Sequence, residues 1–147
     1  MNPFKALNAK IKTKLEGISK LHEVFADPLS EFTGYPAAYI TPSDNTNDYE
    51  TTAENLRIYT FLVRIFYAKD SADNAAALYD AMRDLVDDVL DAFDSDYMLS
   101  GVENDLDAKY TMLGLTAAPS AWVYLEQTNM LMAELRISAR ISVDISN

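Results

Sequence analysis

From Leu131 to Ile145 the sequence alternates without interruption: Leu131, Ala133, Leu135, Ile137, Ala139, Ile141, Val143 and Ile145 interleave with Met132, Glu134, Arg136, Ser138, Arg140, Ser142 and Asp144. Period two sustained over fifteen residues describes one strand with an apolar face and a polar face. It also pins the register, because a slip of one residue would bury two arginines, an aspartate and a glutamate. A chain that ends on such a strand must pair it and cover its apolar side. Residues 56–67 offer the partner: Tyr59, Phe61, Val63, Ile65 and Tyr67 make one apolar face, and β-branched and aromatic residues are frequent on both sides.

Helical periods supply the cover. Asn2 and Pro3 occupy N-cap and first-turn positions, and Phe4, Leu7, Ile11, Leu15 and Ile18 recur at steps of three and four. A first helix over 3–16 is predicted, with Gly17 at its C-cap and Lys10, Lys12 and Lys14 toward the end that favours positive charge. A second helix is predicted after Ser71, which can cap it. There Ala75, Leu78, Met82, Leu85, Val86, Val89 and Phe93 form one face and Asp80, Asp84, Asp87, Asp88 and Asp91 the other.

The remainder is punctuation and shorter strands. Residues 21–25 read as a short strand stopped by Asp27-Pro28, and Gly34-Tyr35-Pro36 as a turn opening a strand over 37–41. Residues 42–55 are polar apart from Tyr49 and Ala53, and read as a loop or arm. Residues 95–106 read as an acidic loop around Gly101, and the stretch from there to the end as a three-strand meander turning near 116–120 and 127–129. The order helix, strands, helix, strands predicts one α+β domain over 1–147, an antiparallel sheet of long strands with two helices packed on one face. The other face and the strand edges stay partly bare, and a symmetric homo-oligomer would cover them.

Charge is unevenly spread. Residues 1–20 hold five lysines against Glu16, residues 21–69 are negative by four, and residues 108–147 are balanced. The formal net of −11 therefore equals the surplus of residues 70–107, where twelve acidic residues face Arg83 alone. A field of that sign disfavours tight binding of nucleic acid, whose affinity comes mostly from Lys and Arg on phosphates. Cysteine is absent and His22 is the one histidine, which removes thiol nucleophiles, disulfides and Cys or His-pair zinc sites. No Gly-x-Ser-x-Gly elbow accompanies His22, and no glycine loop is built to cradle phosphate. The expectation is a non-enzyme without cofactor or metal. With no apolar run near the roughly 18 residues of a membrane span, and Lys-rich opening residues in place of a signal core, it is also expected to be soluble and made in a reducing compartment.

Two clusters invite other readings. The aspartates at 80, 84, 87, 88 and 91 are spaced so that neighbours could share a hard cation such as calcium, although no calcium-loop pattern surrounds them and acidic solvated faces are common. Their placement is costly, because Asp87, Asp88 and Asp91 crowd the negative end of a helix. Either the basic first helix lies alongside, or the negative surface has a use. Trp122, Tyr124, Met130 and Met132 could line a ligand pocket, though such residues at strand spacing more often pack.

Three stretches resemble the tail terminator (tail completion) proteins of long-tailed bacteriophages. They are the opening amphipathic helix; Gly34-Tyr35-Pro36-Ala37-Ala38-Tyr39-Ile40 leading through Pro42-Ser43-Asp44 and Glu54-Asn55-Leu56-Arg57 into the long strand; and the second helix ending at Asp94-Ser95-Asp96-Tyr97-Met98-Leu99. The resemblance implies a virion structural protein. Its copies would form a hexameric ring that stops growth of the tail tube, docks to the head connector or neck, and leaves a channel through which DNA passes without specific binding. On that reading an acidic channel or partner-facing wall is expected from Asp44, Asp48, Glu50 and Glu54 of the 42–55 arm or from Asp80, Asp84, Asp87, Asp88 and Asp91. Subunit contacts are expected on the strands that carry Tyr59, Phe61, Arg136 and Arg140. Another neck or adaptor protein of the head-to-tail connection, or a calcium-responsive binding module, are the alternative readings.

Overall fold

The computed structural model describes residues 1–28, 31–49, 54–68 and 75–145, with the backbone alone described at 44–49. Helix α1 spans Pro3–Glu16, where the Asn2 side chain accepts the Lys5 N–H, Pro3 stands in the first turn, and Gly17 is the C-cap. Its buried face is Pro3, Ala6, Leu7, Ile11 and Leu15; of the residues that the period of three and four selects, Leu7, Ile11 and Leu15 are in the core, Ile18 packs against it, and Phe4 is 37% exposed. Strand β1, Glu23–Phe25, pairs in parallel with the start of β2, Ala37–Tyr49. Between them the Tyr35–Pro36 peptide is cis, and the His22 N–H donates to the Pro36 carbonyl at 2.7 Å.

Strand β3 covers Glu54–Ala68, helix α2 Ala75–Asp94, a short helix α3 Val102–Asp105, and strands β4 and β5 cover Tyr110–Leu125 and Met130–Asp144. The sheet order is β1-β2-β3-β5-β4, antiparallel except at β1. The fold is α+β, as expected. β3 and β4 run in the same direction on either side of β5, and α2 makes the crossover between them.

Odd-numbered residues of β3 and β5 face the helices. Tyr59, Phe61, Val63 and Ile65 join Leu131, Ala133, Leu135, Ile137, Ala139, Ile141 and Val143 in one core cluster with Leu7, Ile11 and Leu15 of α1 and Leu78, Met82, Leu85, Val89 and Phe93 of α2. The even-numbered residues form the open face.

Three expectations are corrected. The 42–55 arm is mostly strand: β2 continues to Tyr49 and pairs with β3 from Asn45↔Tyr59 to Tyr49↔Asn55, after an irregularity between Pro42 and Asn45. Its Asn, Asp and Thr residues have weak or mixed strand preference, yet the strongly β-forming stretch opposite supplies the ladder, and pairing overrides local preference. Glu50, residues 51–53 and the predicted cap Ser71 lie outside the described residues. The meander of three strands is a single hairpin, because the turn predicted near 116–120 is a bulge inside β4 between Pro119 and Ala121. Pro119 is tolerated there since β4 is an edge strand and a missing N–H breaks no ladder bond on its outer side. Within the acidic loop, α3 starts after Gly101, whose φ of 92° is a glycine conformation, and Val102 is fully buried.

Candidate functional site

Two surfaces on opposite sides of the subunit remain after the core is built. The first is the open face of the sheet. Leu56, Thr60 and Phe66 on β3 are nearly covered, Ile58 and Leu62 are half-buried, and Arg136 and Arg140 on β5 are exposed. Arg64 and Glu134 occupy paired positions, and Arg64 Nε donates to Glu134 Oε2 at 2.9 Å. Glu134 also accepts from Ser120 Oγ at 2.7 Å. The Ser120 hydroxyl and then Arg64 hold the Glu134 carboxyl below its ordinary range. Glu134 is thus neutralised in place, and no ion pair engages Arg136 or Arg140 among the described residues. At one end of this face Phe32 packs against Phe25, Tyr35, Tyr39 and Phe66, with ring centroids 5.3 to 6.4 Å apart. Neither the Arg64–Glu134–Ser120 network nor this aromatic cluster was anticipated. The two apolar periods place Arg64 and Glu134 on the same face of the sheet, and the register that sets them opposite each other comes from the structure.

The second surface is the outer side of α2. Asp80, Asp84, Asp87 and Asp91 are exposed there, and their spacing of four, three and four confines them to a stripe within about 60° around the axis. The buried residues centre on the far side of the helix. No basic residue lies in the last turn of α2, and no ion pair reaches these four among the described residues. The first helix and the turn after it compensate other members of the acidic segment: Lys20 Nζ lies 2.7 Å from Asp88, and from α1 Lys14 Nζ lies 2.8 Å from Asp96 and Lys10 Nζ 3.7 Å from Asp105. Lys14, helped by the Ser100 hydroxyl and N–H, holds the Asp96 carboxyl down at about 2. The Asp88 carboxylate raises the Lys20 ammonium. The two explanations for the charge therefore apply largely to different residues: α1 offsets Asp96 and Asp105, Lys20 just beyond it offsets Asp88, and the stripe forms no ion pair among the described residues, Lys20 acting on Asp84 only at longer range.

Other predicted positions resolve as follows. Tyr59 and Phe61, which mark one of the strands expected at subunit contacts, are 4% and 1% exposed. Phe4 of α1 caps both edge-to-face at 4.9 and 5.9 Å, so their rings lie inside the subunit. Arg136 and Arg140 are presented. Asp44 and Asp48 lie on β2, Asp48 opposite Leu56, and Glu54 opens β3. Trp122 and Tyr124 pair with Ala133 and Leu131, whereas Met130 and Met132 point to the other face, so these four do not line one pocket. A cavity of about 430 Å³ at the hairpin tip is lined by Tyr124, Leu125, Glu126, Gln127 and Thr128. No group of three His, Asp or Glu side chains among the described residues could hold a metal ion. No helix among them is long and apolar enough to cross a membrane.

No protein-family model and no curated protein matches the sequence. Among solved structures, a chain from "Virion of native gene transfer agent (GTA) particle" is similar in fold, with a TM-score of 0.61 over 95% of this chain and 96% of that chain, at 19% identity. The likeness extends over both chains almost end to end.

Proposed function

We propose that this chain is a structural subunit of a phage-like virion, of the tail-terminator type, whose copies close into a ring at the end of the tail tube. The observation that carries this reading is the fold likeness to a chain of a gene transfer agent virion over nearly the full length of both. The terminator role and the copy number of six come from the sequence resemblance to that family. The subunit's physics suits a ring. Long strands leave a half-covered face for a neighbour, and a closed ring needs contacts in which one patch meets a different patch on the next copy.

A ring through which DNA passes should not retain phosphate. Acidic walls achieve this by repelling a polymer with one charge per about 1.7 Å. The acids for such a wall are drawn from α2 or from the β2–β3 hairpin, which carries Asp44, Asp48 and Glu54. Nothing in this role calls for catalysis, a cofactor or a membrane.

The test has two parts. Mass measurement of the native assembly is expected to give six copies, and electron microscopy of particles lacking the protein is expected to show overlong tails separated from heads. Tails of normal length that fail to join heads would replace the terminator with another neck or adaptor subunit. A protein that stays monomeric at high concentration and is absent from particles would overturn the virion reading.

A further inference from the structure

The centre of the open face and the outer side of α2 carry opposite charge and point in opposite directions, with Glu54 and Asp144 in paired positions at the far end of the open face. The centre of the open face presents Arg136 and Arg140, with Glu134 already neutralised by Arg64. The outer face of α2 presents Asp80, Asp84, Asp87 and Asp91. We propose that the open face around Arg136 and Arg140 is the docking surface for α2 of a second copy, so that neighbours join front to back.

Distances along the elements agree with this. Arg136 and Arg140 are four residues apart on one face of a strand, about 13 Å. The acidic stripe from Asp80 to Asp91 covers eleven residue steps on a helix, about 16 Å. Two arginines at that separation can each find a carboxylate on the stripe. Arg83, at the edge of the stripe, is engaged over the Tyr79 ring at 5.9 Å. Half-buried Ile58 and Leu62 lie on the strand beside the arginines, and covering them adds apolar burial to the charge pairing.

The energetics favour the same partner. Carboxylates crowded toward the C-terminal end of α2 repel each other and the helix dipole, while Lys10 and Lys14 of α1 and Lys20 beyond it pair with Asp105, Asp96 and Asp88 instead. Arginines from a neighbour would relieve that repulsion. Because the donor and acceptor patches lie on opposite sides of one subunit, the contact cannot be a two-fold pair. It propagates from copy to copy, and it forms a ring where the rotation between neighbours closes and an open filament where it does not; the ring reading requires the closure. The proposal rests on the ring reading above, and it assigns the α2 stripe to the seam between copies, leaving the channel wall to the β2–β3 hairpin.

Charge reversal tests it. Sedimentation velocity is run on wild type, on R136E/R140E, on D84K/D87K, and on an equimolar mixture of the two variants. Each variant alone is expected to be monomeric where wild type is assembled, with association weakened about 100-fold or more. The mixture is expected to recover rings in which the variants alternate, each contributing half of the mass, which an even copy number permits. Recovery cannot come from misfolded chains, so it separates a lost contact from a lost fold. Assembly of either variant alone like wild type, or a mixture that stays monomeric, would overturn the seam while leaving the ring reading intact. A monomeric wild type would sink both.

Discussion

Arg64 and Glu134, seventy residues apart in sequence, stand directly opposite on β3 and β5 and are joined by a 2.9 Å hydrogen-bonded ion pair on the open face of the sheet. The pair is partly shielded, with side-chain exposures of 32% and 16%. A double-mutant cycle with Arg64→Ala and Glu134→Ala is expected to give a coupling of about 1 kcal/mol, above the usual value for exposed pairs because Ser120 fixes the carboxylate. Additive losses in urea unfolding would show that the pair contributes only packing.

The contact of Lys14 with Asp96 ties α1 to the turn after α2. The folded carboxyl sits at about 2, below its ordinary 3.8. Its stabilisation is therefore present above about pH 4 and is lost as pH falls toward 2. Asp96→Asn is expected to lose about 1 kcal/mol at pH 7 after allowance for solvent screening, or roughly 3 °C in Tm. The gap between variant and wild type in urea midpoint should close between pH 4 and pH 2. A gap independent of pH would place the effect elsewhere.

Gly34 lies under the His22 imidazole, and a Cβ there would fall 2.2 Å from the ring. The His22 backbone is held by its bond to Pro36, so the ring can yield only by rotating away. Gly34→Ala is expected to cost about 1–3 kcal/mol through overpacking, and His22→Ala introduced into Gly34→Ala should recover most of it. Failure of the second change to rescue the first would assign the glycine a backbone role in place of a steric one.

Neighbouring residues on β5 should respond in opposite ways. Leu135 is fully buried and Arg136 exposed. Leu135→Ala is expected to cost about 3 kcal/mol in unfolding free energy, while Arg136→Ala should change it by no more than about 0.5 kcal/mol and show its effect in assembly. Equal destabilisation by both would contradict the alternation of faces.

Much of the fold could be read from local period. The fifteen-residue alternation of β5 set its faces, steps of three and four set α1 and the inner side of α2, and Asn2, Pro3 and Gly17 marked the ends of α1. Each of these signals is contained within a few residues, because burial of one face must repeat at the period of the element. The acidic stripe was legible for the same reason, as was the exposure of Arg136 and Arg140.

What the chain by itself could not decide was non-local. Residues 42–49 carry no strong strand signal and became strand only through pairing with β3, and Pro119 was absorbed as a bulge because β4 fell at the sheet's edge. Which lysines meet which acids followed from the docking of α1 and the turn after it, and Phe4 packing on Tyr59 and Phe61 put those rings inside the subunit. Sequence alone thus determined the apolar and polar side of each long element. Tertiary structure decided which sides meet, because contacts between residues far apart in the chain depend on the order of strands and the docking of helices, which no local period records.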